Sequence, residues 1–188
     1  MMLRRLGLIH KNQKGLTLIE LLIAFAISSA IAGVIIMSIF QVINGSARSS
    51  NHMTAIEQVR SAGYWVSHDT QMADNVIPTN PTGFPLTLGW TELYSSGDVH
   101  TVTYTLVDNS NLQRSHFING TSSETTFVAR YIDTTLKDGE PQTNCEFIDT
   151  DGDDVDDTLI FKVTATVGDG SQESSESREY KIVPRPGS

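Results

Sequence analysis

The stretch KGLTLIE, residues 14–20, stands at the front of an apolar run that continues to residue 40 with Glu20 as its only charge. Between residues 21 and 40 the polar side chains are serines, whose hydroxyls can bond back to helix carbonyls. Such a helix is roughly 30 Å long, about the thickness of a bilayer's hydrocarbon core. The run therefore predicts a membrane-spanning helix, in which the Glu20 carboxylate needs a partner because an unpaired charge in hydrocarbon is costly.

The segment before this run carries no acidic residue and four basic ones, Arg4, Arg5, Lys11 and Lys14. Basic flanks remain on the cytoplasmic side, so the chain beyond residue 40 is predicted to lie across the membrane. An ordinary secretory signal has a shorter apolar core that ends at a small-residue cleavage site. Here the candidate cleavage point, Gly15, precedes the apolar run.

Gly15 followed by Leu-Thr-Leu-Ile-Glu resembles the class III signal of bacterial type IV prepilins and pseudopilins. The resemblance implies that a prepilin peptidase cuts between Gly15 and Leu16 and that the new amino group of Leu16 is methylated. It also implies that Glu20 pairs with the N-terminal amine of a neighbouring subunit during assembly. Leu16 departs from the phenylalanine usual in the family. The alternative is an uncleaved signal anchor whose Glu20 lies near the lipid headgroups.

Three segments follow from these signals: a cleaved leader (1–15), a transmembrane and filament-core helix (16–43) and a soluble domain (44–188). The helix is expected to continue to about residue 75, because apolar or small residues recur at helical spacing and prolines follow at 78 and 81. The members of this stripe are Ile56, Val59, Gly63, Val66 and Ala73. Tyr64, Trp65 and Met72 are expected to broaden the same face.

Beyond residue 85 the pattern changes to the alternation of β-strands. Strands are predicted over 100–107, 112–118, 126–136, 159–167 and 178–183, with a turn at 108–111 and the last strand closing the sheet. The fold class is therefore α+β, a long N-terminal helix packed on an antiparallel β-sheet. This layout is similar to the pilin fold, and residues 104–106, 112–114 and the region of Val128 resemble the minor pseudopilin J subgroup.

Residues 149–157 read DTDGDDVDD and suggest a calcium loop. Calcium prefers six to eight oxygen ligands, and alternating positions of the loop supply them. The candidate ligands are Asp149, Asp151, Asp153, the carbonyl of Val155, and Asp157. Asp154 stands where glycine is usual and Ile160 where a bidentate glutamate is usual, so a solvated acidic turn is the alternative.

Other chemistry-bearing residues show weaker patterns. His68 and Asp69 are adjacent but are expected to be exposed polar positions, since no serine or cysteine nucleophile lies in a recognisable motif. His52, His100 and His116 are isolated in the sequence, with no spacing suited to zinc. The formal net charge of −9 argues against nucleic acid as a partner, and the lone Cys145 cannot form an internal disulfide.

The expected function is that of a minor pilin or pseudopilin, a structural subunit without catalysis, in a type IV pilus-like filament or a type II secretion pseudopilus. Expected partners are prepilin peptidase, other pilins through the N-terminal helix, an inner-membrane assembly platform and membrane lipid. The expected location is the bacterial inner membrane and then an envelope or surface filament. The alternatives are a major pilin, and an extracytoplasmic enzyme or binding protein that uses a pilin-like anchor.

Overall fold

The computed structural model describes residues 15–79, 82–92, 97–150, 152 and 155–185. The leader up to residue 14, and Asp151 and Asp153 of the predicted calcium loop, therefore lie outside the described residues. The long helix α1 covers Leu18–Met72. Ten strands follow within the described residues: β1 (Asn75–Thr79), β2 (Gly83–Thr91), β3 (Val99–Val107), β4 (Asn111–Ile118), β5 (Thr121–Ala129), β6 (Leu136–Lys137), β7 (Glu140–Pro141), β8 (Asn144–Ile148), β9 (Thr158–Val167) and β10 (Ser174–Ile182).

The chain divides into two compact units, one ending at Ile43 and the other beginning at Asn44. In the first unit, α1 exposes its apolar side chains on every face. Its serines bond back to the helix, with Ser29 Oγ donating to the carbonyl of Ala26 and Ser38 Oγ to that of Val34, both at 2.9 Å. Of the helices in the described residues, α1 is the one long and apolar enough to cross a membrane.

The second unit contains two antiparallel sheets and a small ribbon among its described residues. Strands β1 to β5 form a five-stranded meander in chain order, because each strand turns back beside the one before it. Strands β10, β9 and β8 form a three-stranded sheet in that order, and β6 pairs with β7. The α+β prediction of a long helix on antiparallel sheet is confirmed.

The core of the second unit lies between the C-terminal half of α1 and the two sheets. The buried apolar residues of the helix are small, Ala55, Val59, Ala62, Val66 and Ala73. Small side chains allow close approach, and at Gly63 an added Cβ would overlap the ring of Tyr180 from β10. Fully buried side chains of the sheets complete the core, among them Leu86, Leu88, Val102, Leu112, Leu159, Phe161 and Val163.

Several predicted element bounds were wrong. The strand placed at 126–136 is β5, which starts earlier and ends at Ala129, and Tyr131 then adopts a positive φ of 59° that breaks the extended chain. The last strand pairs with β9 in the second sheet and does not close the first. The helix ends at Met72, before the predicted residue 75.

Five strands of the described residues were not predicted, namely β1, β2, β6, β7 and β8. In β1 and β2, prolines and glycines obscure the pattern. Pro78 lies in β1, which is an edge strand of its sheet, where the missing N–H costs no ladder bond. In the predicted helix stripe, Ile56 is only partly buried and Ala55 and Ala62 take the interior positions.

Candidate functional sites

The first candidate site is the start of α1, where Thr17 caps the helix. The Thr17 carbonyl accepts the bond from Leu21 N at 3.2 Å, and its hydroxyl oxygen accepts one from Glu20 N at 3.3 Å. Glu20 returns the contact, since its Oε2 accepts from Thr17 N at 2.9 Å and from Thr17 Oγ1 at 2.8 Å. This reciprocal arrangement is a capping box, three residues apart as such boxes require.

The capping box gives Glu20 a role inside its own chain. Its carboxylate lies in the first turn, where the partial positive charge of the helix terminus favours an anion. Both bonds from Thr17 reach the same oxygen, Oε2, and the side chain remains exposed. The N-terminal end of α1 thus holds a fixed, accessible carboxylate five residues from Gly15.

The second candidate site is a buried polar cluster in the second unit, formed by Asp69 of α1, Tyr104 of β3 and Arg114 of β4. Arg114 donates to the Asp69 carboxylate from Nε at 2.7 Å and from Nη2 at 3.1 Å. The Tyr104 hydroxyl donates to Asp69 Oδ2 at 2.5 Å. The Asp69 and Arg114 side chains are 1% and 7% exposed, so this is a buried ion pair that joins the helix to the sheet.

The cluster corrects the prediction that Asp69 is an exposed polar position. His68 beside it is half exposed, with Nδ1 3.2 Å from Asp69 Oδ1. Burial, and then the negative charge of Asp69, raises the pKa of the Tyr104 hydroxyl, which therefore remains protonated and donating. The guanidinium of Arg114 also lies over the Trp65 ring, 5.1 Å from its centroid.

A cleft of about 510 Å³ opens next to this cluster. Its lining includes His68, Met72, Glu92, His100, His116 and Arg185. The two histidines were predicted to be isolated, and this was wrong: His100 Nδ1 lies 3.0 Å from His116 Nε2. They lie in β3 and β4 on the same face of the sheet, where Trp90 of β2 stacks on His100 with ring planes 2° apart.

The acidic loop is described only in part. Asp149 Oδ1 accepts from Gly152 N at 2.7 Å, and the Asp157 carboxylate accepts from Thr150 Oγ1 at 2.8 and 2.9 Å. The Thr150 and Thr158 hydroxyls lower the pKa of Asp157 by bonding to its charged form. Val155 is exposed. Across the part of the chain that the structure describes, no three His, Cys, Asp or Glu side chains converge on a metal position. Calcium binding here stays a prediction.

Cys145, on β8, is buried with Sγ 2.9 Å from the carbonyl oxygen of Gly83. Burial, and then the charge of Glu146, raises the pKa of its thiol to about 12. A thiol in this environment is a poor nucleophile, because reactivity belongs to the thiolate.

Comparison with known protein families gives a match that falls on the first of these sites. Residues 10–36 match the family model described as "Prokaryotic N-terminal methylation motif". The match includes Gly15, Leu16 and the capping box at Thr17 and Glu20. Comparisons with curated proteins and with solved structures give no match.

The matched segment defines a class: this chain carries a prepilin-type N-terminal methylation signal on a long apolar helix. That signal fits a pilin or pseudopilin subunit. It implies processing by a prepilin peptidase and assembly with other pilins. With the apolar helix, it is consistent with membrane anchoring and a pilus or envelope location.

Proposed function

We propose that this chain is a minor pilin or pseudopilin, incorporated through its N-terminal helix in a type IV pilus-like filament or a type II secretion pseudopilus. The observation that carries the proposal is the start of α1, where a methylation motif, an exposed first-turn carboxylate and an all-round apolar helix occur together. A helix that is apolar on every face needs lipid or other helices around it. The membrane provides the lipid before assembly, and a filament core built from such helices provides the neighbouring helices afterwards.

Glu20 would direct the order of assembly. Cleavage after Gly15 creates an amine at Leu16 of one subunit. The Glu20 carboxylate of a neighbouring subunit, exposed in the first turn of its helix, would pair with that amine. Two opposite charges in a low-dielectric surrounding attract strongly, whereas either alone is costly there. The capping bonds from Thr17 hold the carboxylate in place before its partner arrives.

The cleft beside Asp69 bears on the alternative of an anchored enzyme or binding protein. The two buried charged groups of its lining, Asp69 and Arg114, bond to each other, and Asp69 also accepts a bond from Tyr104 behind them. These bonds join α1 to the first sheet. The buried thiol of Cys145 faces a carbonyl oxygen. These contacts support a rigid subunit domain over a catalytic one.

The finer subtype rests on the resemblance of β3, β4 and β5 to the minor pseudopilin J subgroup, in which the subunit would lie near the filament tip. Low copy number in purified filaments would support the minor subunit, and abundance there would support a major pilin.

The test of the proposal is incorporation of Glu20→Gln into filaments by cells that make the remaining subunits. The amide keeps the acceptor oxygen for the Thr17 cap but has no charge for the amine. We expect processed Glu20→Gln to accumulate in the membrane and to be depleted from filaments, while Thr17→Ser, which keeps the cap and the charge, is incorporated normally. Normal incorporation of Glu20→Gln would overturn the pairing.

A further inference from the structure

His100 and His116 hold two neighbouring strands together through a contact between imidazole rings. The register places Val102 of β3 opposite His116, so the two histidines are diagonal neighbours on one face. Their ring centroids are 5.2 Å apart and their planes differ by 18°. That separation exceeds the 3.0 Å N···N distance by about one ring width, so the rings lie edge to edge and the contact is an N–H···N hydrogen bond.

This bond needs a specific protonation state. A neutral imidazole has one N–H donor and one acceptor nitrogen, and a charged imidazolium has two donors and no acceptor. The bond therefore forms when both rings are neutral or when one is charged. When both are charged, two N–H groups point at each other and two positive charges meet, so the bond is lost.

Around His116, burial and nearby positive charges disfavour a second proton on the pair more than nearby acids favour it. Arg114 lies on the same strand as His116, and its positive charge and that of His100, after burial, lower the pKa of His116. Three acidic groups lie nearby. Glu124 of β5 is opposite His116, and Glu92 Oε2 is 4.0 Å from His100 Nε2. The third is Asp69 of α1.

Of these acids, Asp69 is already paired with Arg114, and Glu92 is half exposed. Arg185, and His68 of α1 when its ring is charged, add further positive charge at the cleft. The Tyr104 hydroxyl is neutral and points at Asp69.

We propose that His100 and His116 form a proton-sensitive clasp between β3 and β4, closed by one N–H···N bond and opened when both rings are charged. The closed clasp lies in the wall of the cleft and supports the stacked ring of Trp90. Opening separates the two rings, loosens this part of the first sheet and exposes Trp90 to water.

The direction of the pH effect follows from the lowered pKa of His116. The unfolded or opened state, with the usual pKa near 6.5, binds more protons than the closed state. The stability that the clasp contributes is thus present above about pH 6.5 and is lost as the pH falls below that value. A filament subunit outside the cytoplasm would meet such a change whenever its surroundings acidify.

The test uses the full chain in detergent micelles with ¹⁵N-labelled histidine. At pH 7.5 we expect a through-bond ¹⁵N–¹⁵N coupling between His100 and His116, and two separate protonation steps for the pair. The coupling should persist through the first protonation step and disappear as the pH falls through the second. Absence of the coupling at pH 7.5, or independent titration of both rings near 6.5, would overturn the clasp.

Hydrogen exchange of β3 and β4 gives a second readout, after correction for the intrinsic pH dependence. Between pH 7.5 and 5.0 we expect protection to fall about fivefold, the effect of losing one ordinary hydrogen bond. His116→Gln can still donate to His100 but stays neutral, so its protection should not fall. His52→Gln, an exposed control on α1, should behave as the unaltered chain does. An equal fall in His116→Gln would contradict the proposal, and if that variant does not fold, the coupling measurement decides.

Discussion

Replacing Asp69 by asparagine removes the charge that balances Arg114 in the interior of the second unit. The side chains of Asp69 and Arg114 are 1% and 7% exposed, so water cannot replace the lost contact without a local rearrangement. Asparagine retains one acceptor oxygen for the Tyr104 hydroxyl but offers no anion to the guanidinium. The substitution therefore leaves a buried, uncompensated positive charge, which is the costly way to break an ion pair.

The expected loss is about 3–5 kcal/mol in the free energy of unfolding, the range for removing one partner of a buried pair. The remaining contact of Arg114 with the Trp65 ring places the value toward the lower end. Tyr104→Phe removes one hydrogen bond to a charged group and should cost less, about 1.5–3 kcal/mol. Asp69→Leu combined with Arg114→Met removes both charges and should recover most of the loss, because apolar replacements of such pairs are often neutral.

The assay is urea unfolding of the full chain in detergent, followed by the fluorescence of Trp65 and Trp90, which both lie in the second unit. Glu57→Gln, an exposed change on the same helix, is the control and should stay within about 0.5 kcal/mol of the unaltered chain. A loss below about 1 kcal/mol for Asp69→Asn would refute the reasoning. So would a double variant that is no more stable than the single one.

Three further predictions concern other parts of the second unit. Gly63→Ala should destabilise it by about 1–3 kcal/mol in the same assay, because the new Cβ overlaps the Tyr180 ring, whereas Gly45→Ala, with open space around it, should not. At pH 8, Cys145 should react with a thiol reagent about a thousandfold more slowly in the folded chain than in urea, since its thiol pKa rises from 9.0 to about 12; equal rates would contradict this. Calorimetric titration with calcium should give heat that Asp157→Asn reduces, and no heat from the unaltered chain would leave the loop a solvated turn.

The sequence predicts α1 well because its signals are local. The apolar run indicates lipid or other helices around the first part of α1, and the stripe of small residues indicates close packing against a domain in the second part. Strands β3, β4 and β9 were also predictable, since strict alternation requires one buried face. Strand β2 carries the same alternation at Phe84, Leu86, Leu88 and Trp90, but glycines and Pro85 interrupt it and no strand was predicted there.

The polar cluster was missed because its pairing is non-local. Asp69 lies three residues after Val66 and four before Ala73, so it occupies a position of the buried stripe itself. Arg114 likewise follows Leu112 on the inward face of β4. Each charge on an apolar face signals a buried partner. The register that brings the two together depends on the packing of α1 against the first sheet, which no local pattern encodes.

The histidine clasp was missed for a similar reason. His100 and His116 are sixteen residues apart, and only the β3–β4 hairpin register makes them neighbours. Metal-ligand spacing in the sequence does not indicate this pair, because the two rings bond to each other across strands.

Processing of the chain as a prepilin is tested directly by the intact mass of the protein extracted from membranes that contain a prepilin peptidase. The expected product begins at Leu16 and is heavier by one methyl group. A chain that still begins at Met1 would contradict it.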